Sequence, residues 1–221
     1  MDIKKKAVIL ISGGLDSLLT LAIAIKQGLE PYILHINYGQ ATHKKELKAY
    51  KDISAFYNIS KQNSLIVDIS YLKKIGGSNL TDENFNKPKT DEIPNSYVPF
   101  RNANIIAIAV SWAEAIGANY IFIGASEVDF SGYPDCRREF FDAFENAIEL
   151  GTRPDTKIKI ATPLIKMTKE DIVKKGIELD IPFELSWSCY YREDYACGEC
   201  DSCKLRLNGF KKAGIDDPAY L

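Results

Sequence analysis

Apolar and polar positions along this chain fall into blocks whose period switches between that of a strand and that of a helix. Residues 7–11, 32–36, 65–69, 120–124 and 157–161 are short apolar runs rich in β-branched and aromatic side chains, the pattern of buried strands. Between them, residues 18–26, 43–57, 102–116, 139–150 and 169–179 carry apolar positions at helical spacing. Gly28 stops the first of these helices, and Thr168 with Asp171 forms a helix-starting cap before the last. Phe141, Phe144 and Ile148 share one face of the fourth. Strand-helix alternation predicts an α/β fold: a doubly wound, parallel five-stranded sheet with helices across both faces. Residues 12–17, 75–99 and 127–138 are polar, Gly- and Pro-containing loops, and past Pro182 the chain becomes a cysteine-rich tail. The predicted organisation is therefore an α/β domain over residues 1–185 and a smaller segment over 186–221 packed on it.

Composition narrows the function. The 221 residues suffice for one core with a small appendage. A formal net charge of −2 lacks the basic excess of a protein that grips nucleic acid through its phosphates, so a small-molecule substrate is expected and nucleic acid is not. The apolar run after Met1 is too short to span a bilayer and is cut off by polar residues, which predicts no membrane association and a cytoplasmic location.

The chemistry begins at Ser12-Gly13-Gly14-Leu15-Asp16-Ser17, between the first strand and the first helix. Glycines let backbone N–H groups close on an anion, the helix points its positive end at the same place, and Ser12 and Ser17 add hydroxyls. The result is a phosphate cradle, distinct from a Walker loop because no Lys follows the second glycine. A carboxylate beside phosphates needs a cation between them, so Asp16 is assigned to Mg²⁺. The bland alternative is a helix start capped by Ser12 or Asp16 with no ligand.

Cys189, Cys197, Cys200 and Cys203 are spaced C-x7-C-x2-C-x2-C, with Gly198 in the turn. Four thiolates satisfy tetrahedral Zn²⁺ completely and leave no position for water, which predicts a structural ion. An iron–sulfur cluster takes the same ligands, and disulfides or free thiols are the further alternatives. Cys136 stands apart, either a small buried hydrophobe or a thiol activated beside Arg137. His35 lies within a strand as a satisfied interior histidine and His43 starts a helix in solvent, so neither is a general base.

The glycine turn after the first strand resembles the pyrophosphate-binding loop of the PP-loop ATPases, which split ATP between its α- and β-phosphates. Tyr38-Gly-Gln40, Val98-Pro-Phe-Arg-Asn102, Asp129-Phe-Ser-Gly-Tyr-Pro-Asp-Cys-Arg137, Thr162-Pro-Leu164 and Trp187-Ser-Cys-Tyr190 with the cysteine segment together resemble the 7-cyano-7-deazaguanine synthase family of that superfamily, over nearly the whole chain. One departure is that Ala41 and Thr42 stand where the family usually has a basic residue.

The resemblance implies an adenine nucleotide alpha hydrolase-like, Rossmann-like fold and a homodimer. It implies ATP-dependent conversion of 7-carboxy-7-deazaguanine and ammonia to 7-cyano-7-deazaguanine, for queuosine or archaeosine synthesis, by adenylating first the carboxylate and then the amide. ATP would lie along Ile11, Ser12, Gly13, Gly14, Leu15, Asp16, Ser17, Leu18, Leu19, Thr20 and Leu21. Asp16, Ser17, Arg101 and Lys166 would serve the phosphates and the reaction. Asp129 or Asp135 would accept the N–H groups of the deazaguanine, Tyr133 would stack on it, and Arg101 or Arg137 would hold its carboxylate or the pyrophosphate. The competing readings are another adenylating enzyme, such as a tRNA thiolase, and a catalytically silent zinc protein that senses nucleotide. The absence of a cysteine before Cys136 weighs against the thiolase.

Overall fold

The computed structural model describes residues 4–82, 93–128 and 132–220. The strands are β1 (Lys6–Leu10), β2 (Glu30–Asn37), β3 (Ser64–Asp68), β4 (Tyr120–Phe122) and β5 (Lys159–Ala161). The α-helices are α1 (Leu15–Lys26), α2 (His43–Phe56), α3 (Tyr71–Ile75), α4 (Arg101–Ile116), α5 (Arg138–Gly151), α6 (Lys169–Glu178) and α7 (Asp201–Ala213). All strand pairs are parallel, in the spatial order β3-β2-β1-β4-β5, with Ile9 of β1 opposite Ile33 of β2 and Phe122 of β4. The chain order reverses beside β1, so the crevice at the carboxyl ends of β1 and β4 is the switch point where open α/β sheets bind ligands.

Side-chain alternation along β1 explains the two layers. Val8 and Leu10 join one core with Ile106 and Ala109 of α4 and Phe141 and Ile148 of α5. Ala7 and Ile9 join the other with Leu18 and Leu21 of α1, Ile53 of α2, Ile172 of α6 and Phe210 of α7. Each fully buried Leu, Ile or Phe stabilises the fold by about 1.5–3 kcal/mol, so both faces of the sheet are anchored independently.

Boundaries differ from the periodicity in three ways. Helix α1 starts at Leu15 instead of residue 18, because the turn closes directly on Gly14. Helix α3 occupies the approach to the loop at 75–99, of which 83–92 lie outside the described residues. Most of the cysteine tail beyond Cys200 is helix α7, which packs along α6. That packing requires Gly209, where a Cβ would lie 2.6 Å from Cγ of Lys169. The expected cap on α6 is present: Thr168 Oγ1 accepts from Asp171 N at 3.2 Å, and Asp171 Oδ2 accepts from Thr168 N at 3.0 Å.

Candidate active site

Beyond Leu10 the chain stays tied to the sheet for one more residue, with Ile11 N donating to Leu34 O at 2.9 Å, and then turns away at Ser12. Gly13 has φ +91°, and a Cβ there would lie 2.7 Å from the backbone oxygen of Glu46. A side chain at this position would push α2 off the turn. The N-cap of α1 is Gly14, with no side-chain cap bond. Ser12 Oγ is spent on Gly14 N at 3.2 Å and Ser17 Oγ on Gly14 O at 2.8 Å. The self-capped alternative is thereby removed, and the first turn of α1 faces the crevice without a side-chain acceptor, as anion binding requires.

A cavity of about 250 Å³ opens in front of this turn, lined by Ser12, Gly14, Asp16 and Ser17 and by residues at the ends of β1, β2 and β4. Lys169, buried on the first turn of α6, reaches across it to Asp16, with Nζ 2.7 Å from Oδ1 and 2.9 Å from Oδ2. Lys166, the expected phosphate lysine, is exposed and is not among the lining residues. The capping box at Thr168 starts the helix one residue before Lys169 and so aims that lysine inward. The expectation from sequence fell on Lys166, although this cap was the signal that could have pointed to Lys169.

The lining also includes Tyr38, Glu46, Arg101, Tyr133, Cys136 and Tyr190. Arg101 Nη1 donates to Tyr38 Oη at 3.2 Å, and its guanidinium lies 5.0 Å from the centre of that ring. Tyr133 is buried, its hydroxyl 2.6 Å from Ser96 Oγ. The other expected substrate contacts divide. Asp129 lies outside the described residues. Asp135 is buried off the cavity lining, where Oδ2 accepts from Asn102 N at 2.9 Å and holds the start of α4. Burial raises the Asp135 carboxyl above its ordinary range. Arg137 is exposed and does not line the cavity. Cys136 faces it, but burial pushes its thiol up to about 12. A buried thiol raised in this way argues against the activated-thiol reading and fits a small buried hydrophobe. His35 is only half satisfied, because Nδ1 lies 2.9 Å from Ile11 O while Nε2 is buried without a partner.

The four cysteine sulfurs all lie within 4.8 Å of one another. Sγ of Cys197 and Cys203 are 3.8 Å apart, matching the edge of about 3.8 Å for a tetrahedron with Zn–S near 2.3 Å. Backbone N–H groups of Cys197, Cys200 and Cys203 donate to the sulfurs of Cys189, Cys197 and Cys200 at 3.4–3.5 Å, which suits thiolates. The cluster is joined to the phosphate turn through Trp187, whose N–H donates to Gly13 O at 2.9 Å. Glu193 Oε1 accepts from the N–H groups of Lys44 and Lys45 on the first turn of α2, at 3.0 and 3.3 Å. Among the described residues, no helix is long and apolar enough to cross a membrane.

A glycine turn opening an uncapped helix at the switch point of a parallel sheet, with Lys169 and Arg101 in the same crevice, defines a nucleotide-binding α/β protein. Solved structures agree on the fold. A 4-thiouridine synthetase–RNA complex with bound ATP superposes with TM-score 0.52 at 20% identity, covering 95% of this chain and 53% of that one. NMN synthetase from Francisella tularensis superposes with TM-score 0.53 at 15% identity, covering 96% and 79%. The model of the family described as "Queuosine biosynthesis protein QueC" matches residues 6–214, and this chain belongs to that family. The 7-cyano-7-deazaguanine synthase of a Chlorobium phaeobacteroides strain is 57% identical over 217 residues, spanning 96% of this chain and 95% of the relative. That of Chlorobaculum tepidum is 54% identical over the same shares.

Proposed function

We propose that this chain converts 7-carboxy-7-deazaguanine, ammonia and ATP to 7-cyano-7-deazaguanine in queuosine biosynthesis, consistent with its family membership. The observation that carries the reading is the uncapped start of α1 at the glycine turn, placed in one cavity with Asp16, Lys169 and Arg101. A carboxylate oxygen is a poor leaving group, and adenylation corrects this. The N–H groups at the start of α1 hold the phosphates, Ser17 braces the turn by donating its hydroxyl proton to Gly14 O, and Lys169 neutralises charge that develops on the phosphates. Arg101 is suited to the substrate carboxylate, and Tyr38 beneath its guanidinium fixes its plane. The Tyr133 ring offers a stacking face for the deazaguanine. Asp16, through the lone pairs that its ion pair with Lys169 leaves on each oxygen, supplies hard donors that fit Mg²⁺, which would screen the phosphates from the carboxylate.

The four sulfurs would hold one structural Zn²⁺, with residues 186–221 as its segment and residues 1–185 as the ATP-binding domain. The resemblance to the family supports a homodimer, and the small polar substrates suit a cytoplasmic location. Purified protein given Mg-ATP, ammonium and 7-carboxy-7-deazaguanine should form the nitrile, detected by mass spectrometry. Protein with its metal intact that yields neither nitrile nor AMP would defeat this reading and favour the silent sensor.

A further inference from the structure

Two carboxylates line the cavity among the described residues, Asp16 and Glu46, and Asp16 is already bound through both oxygens to Lys169. Glu46, on the first turn of α2, is built into place. Its Oε2 accepts from Gln40 Nε2 at 2.9 Å and its Oε1 from Thr42 Oγ1 at 2.8 Å. Gln40 Oε1 takes the Tyr38 N–H at 3.0 Å, which orients that amide so that its NH₂ faces Glu46. Gln40 and Thr42 are themselves buried, at 3% and 1% exposure. The Tyr38-Gly-Gln40 turn therefore aims one carboxylate into the cavity and leaves each of its oxygens a lone pair.

We propose that Glu46 is the base that takes protons from the reacting nitrogen, an assignment that rests on the synthase reading above. In the first stage an ammonium ion gives a proton to Glu46 and its freed lone pair attacks the adenylated carbonyl. The C–N bond forms, the C–O bond to AMP breaks with its electron pair leaving on the phosphate, and a further proton passes to water. In the second stage the amide oxygen attacks the α-phosphorus of ATP and releases pyrophosphate. Once Glu46 has passed its first proton to water, the nitrogen gives up its two protons, one to Glu46 and one to water, as the C–O bond breaks to AMP and the nitrile forms. No oxidant or reductant is involved. The charged and titratable groups that act on or are acted on by Glu46 are Arg101 from α4, Tyr38 from the turn after β2 and Glu193 from the cysteine segment. Burial holds its carboxyl above the ordinary range, against hydrogen bonds from Thr42 and Gln40 and the charge of Arg101 that lower it. A carboxylate so placed is a better base than an exposed one.

Adenylating the carboxylate needs no such base, and this separates the two roles. Glu46→Gln keeps the shape and an acceptor oxygen but cannot take a proton. With 7-carboxy-7-deazaguanine and no ammonium, E46Q should exchange radiolabelled pyrophosphate into ATP at the wild-type rate. With ammonium present, its nitrile formation should fall by about 100-fold or more. Wild-type turnover should drop on the acid side as Glu46 protonates; E46Q should lack that limb and gain as pH raises the free ammonia. Glu46→Asp should recover part of the loss. Exchange and nitrile falling together in E46Q would make Glu46 a support for the turn and overturn the proposal. Unchanged nitrile formation, or an Asp variant no better than Gln, would overturn it too. A wild-type protein that makes no nitrile would instead sink the synthase reading.

Discussion

Replacing Asp217 with alanine should cost this fold several kilocalories per mole, although the residue lies at the end of the chain and outside the cavity. Asp217 and Arg206 have side chains only 1% and 2% exposed, with Nε–Oδ2 at 2.6 Å and Nη2–Oδ1 at 2.8 Å. Arg206 also donates to Ser186 Oγ at 2.8 Å, and Asp217 Oδ1 accepts from Ala219 N at 3.0 Å. Removing the carboxylate leaves a buried guanidinium without its counter-charge, a loss of about 3–5 kcal/mol. At this chain length each kcal/mol moves Tm by about 2–4 °C, so a fall of roughly 6–20 °C is expected. Ser186 precedes Trp187, whose N–H holds Gly13 O, so ATP should also bind more weakly. The assay is urea and thermal unfolding with metal retained, beside nucleotide titration. The double variant Arg206→Met with Asp217→Leu removes both charges and should be more stable than D217A, though below wild type because Ser186 and Phe183 lose their donor. A D217A cost under about 1 kcal/mol, or a double variant less stable than the single one, would refute the reasoning.

Lys169→Met should reduce turnover by about 100-fold or more with the fold retained, whereas Lys166→Ala should stay near wild type, both measured as kcat. Metal analysis should find one zinc per chain, and Cys200→Ser or a strong chelator should lower the unfolding temperature, because structural zinc contributes directly to folding. His35 titrates below its ordinary 6.5, chiefly through burial and against its bond to Ile11. The native state therefore resists a proton that the unfolded chain accepts. Stability should fall as pH drops below about 6.5, and His35→Asn, followed by denaturant unfolding across pH, should flatten that slope.

Much of the architecture was legible because local signals agreed. The alternation of β1 through the glycine turn into α1, and the Thr168 cap, state strand, turn and helix in the same few residues. Helix α7 was not legible because its cap is unusual and its body polar. Cys200 Sγ takes the Cys203 N–H, outside the Ser, Thr, Asp and Asn set, and Gly209, a poor helix former, stands inside the helix for a reason that lies in Lys169. Charged loop residues were the hardest to place. Asp135 and Arg137 are two positions apart, yet one is buried as a brace for Asn102 and the other is exposed, a difference set by the docking of α4. Glu46 was missed because a glutamate in a charged helix looks solvated until the turn at Gln40 folds over it.

The decisive measurement follows oxygen. With 7-carboxy-7-deazaguanine labelled with heavy oxygen in its carboxylate, both AMP molecules released per nitrile should carry one labelled oxygen, and pyrophosphate should carry none. Unlabelled AMP, or ADP and phosphate in its place, would contradict adenylation at the glycine turn.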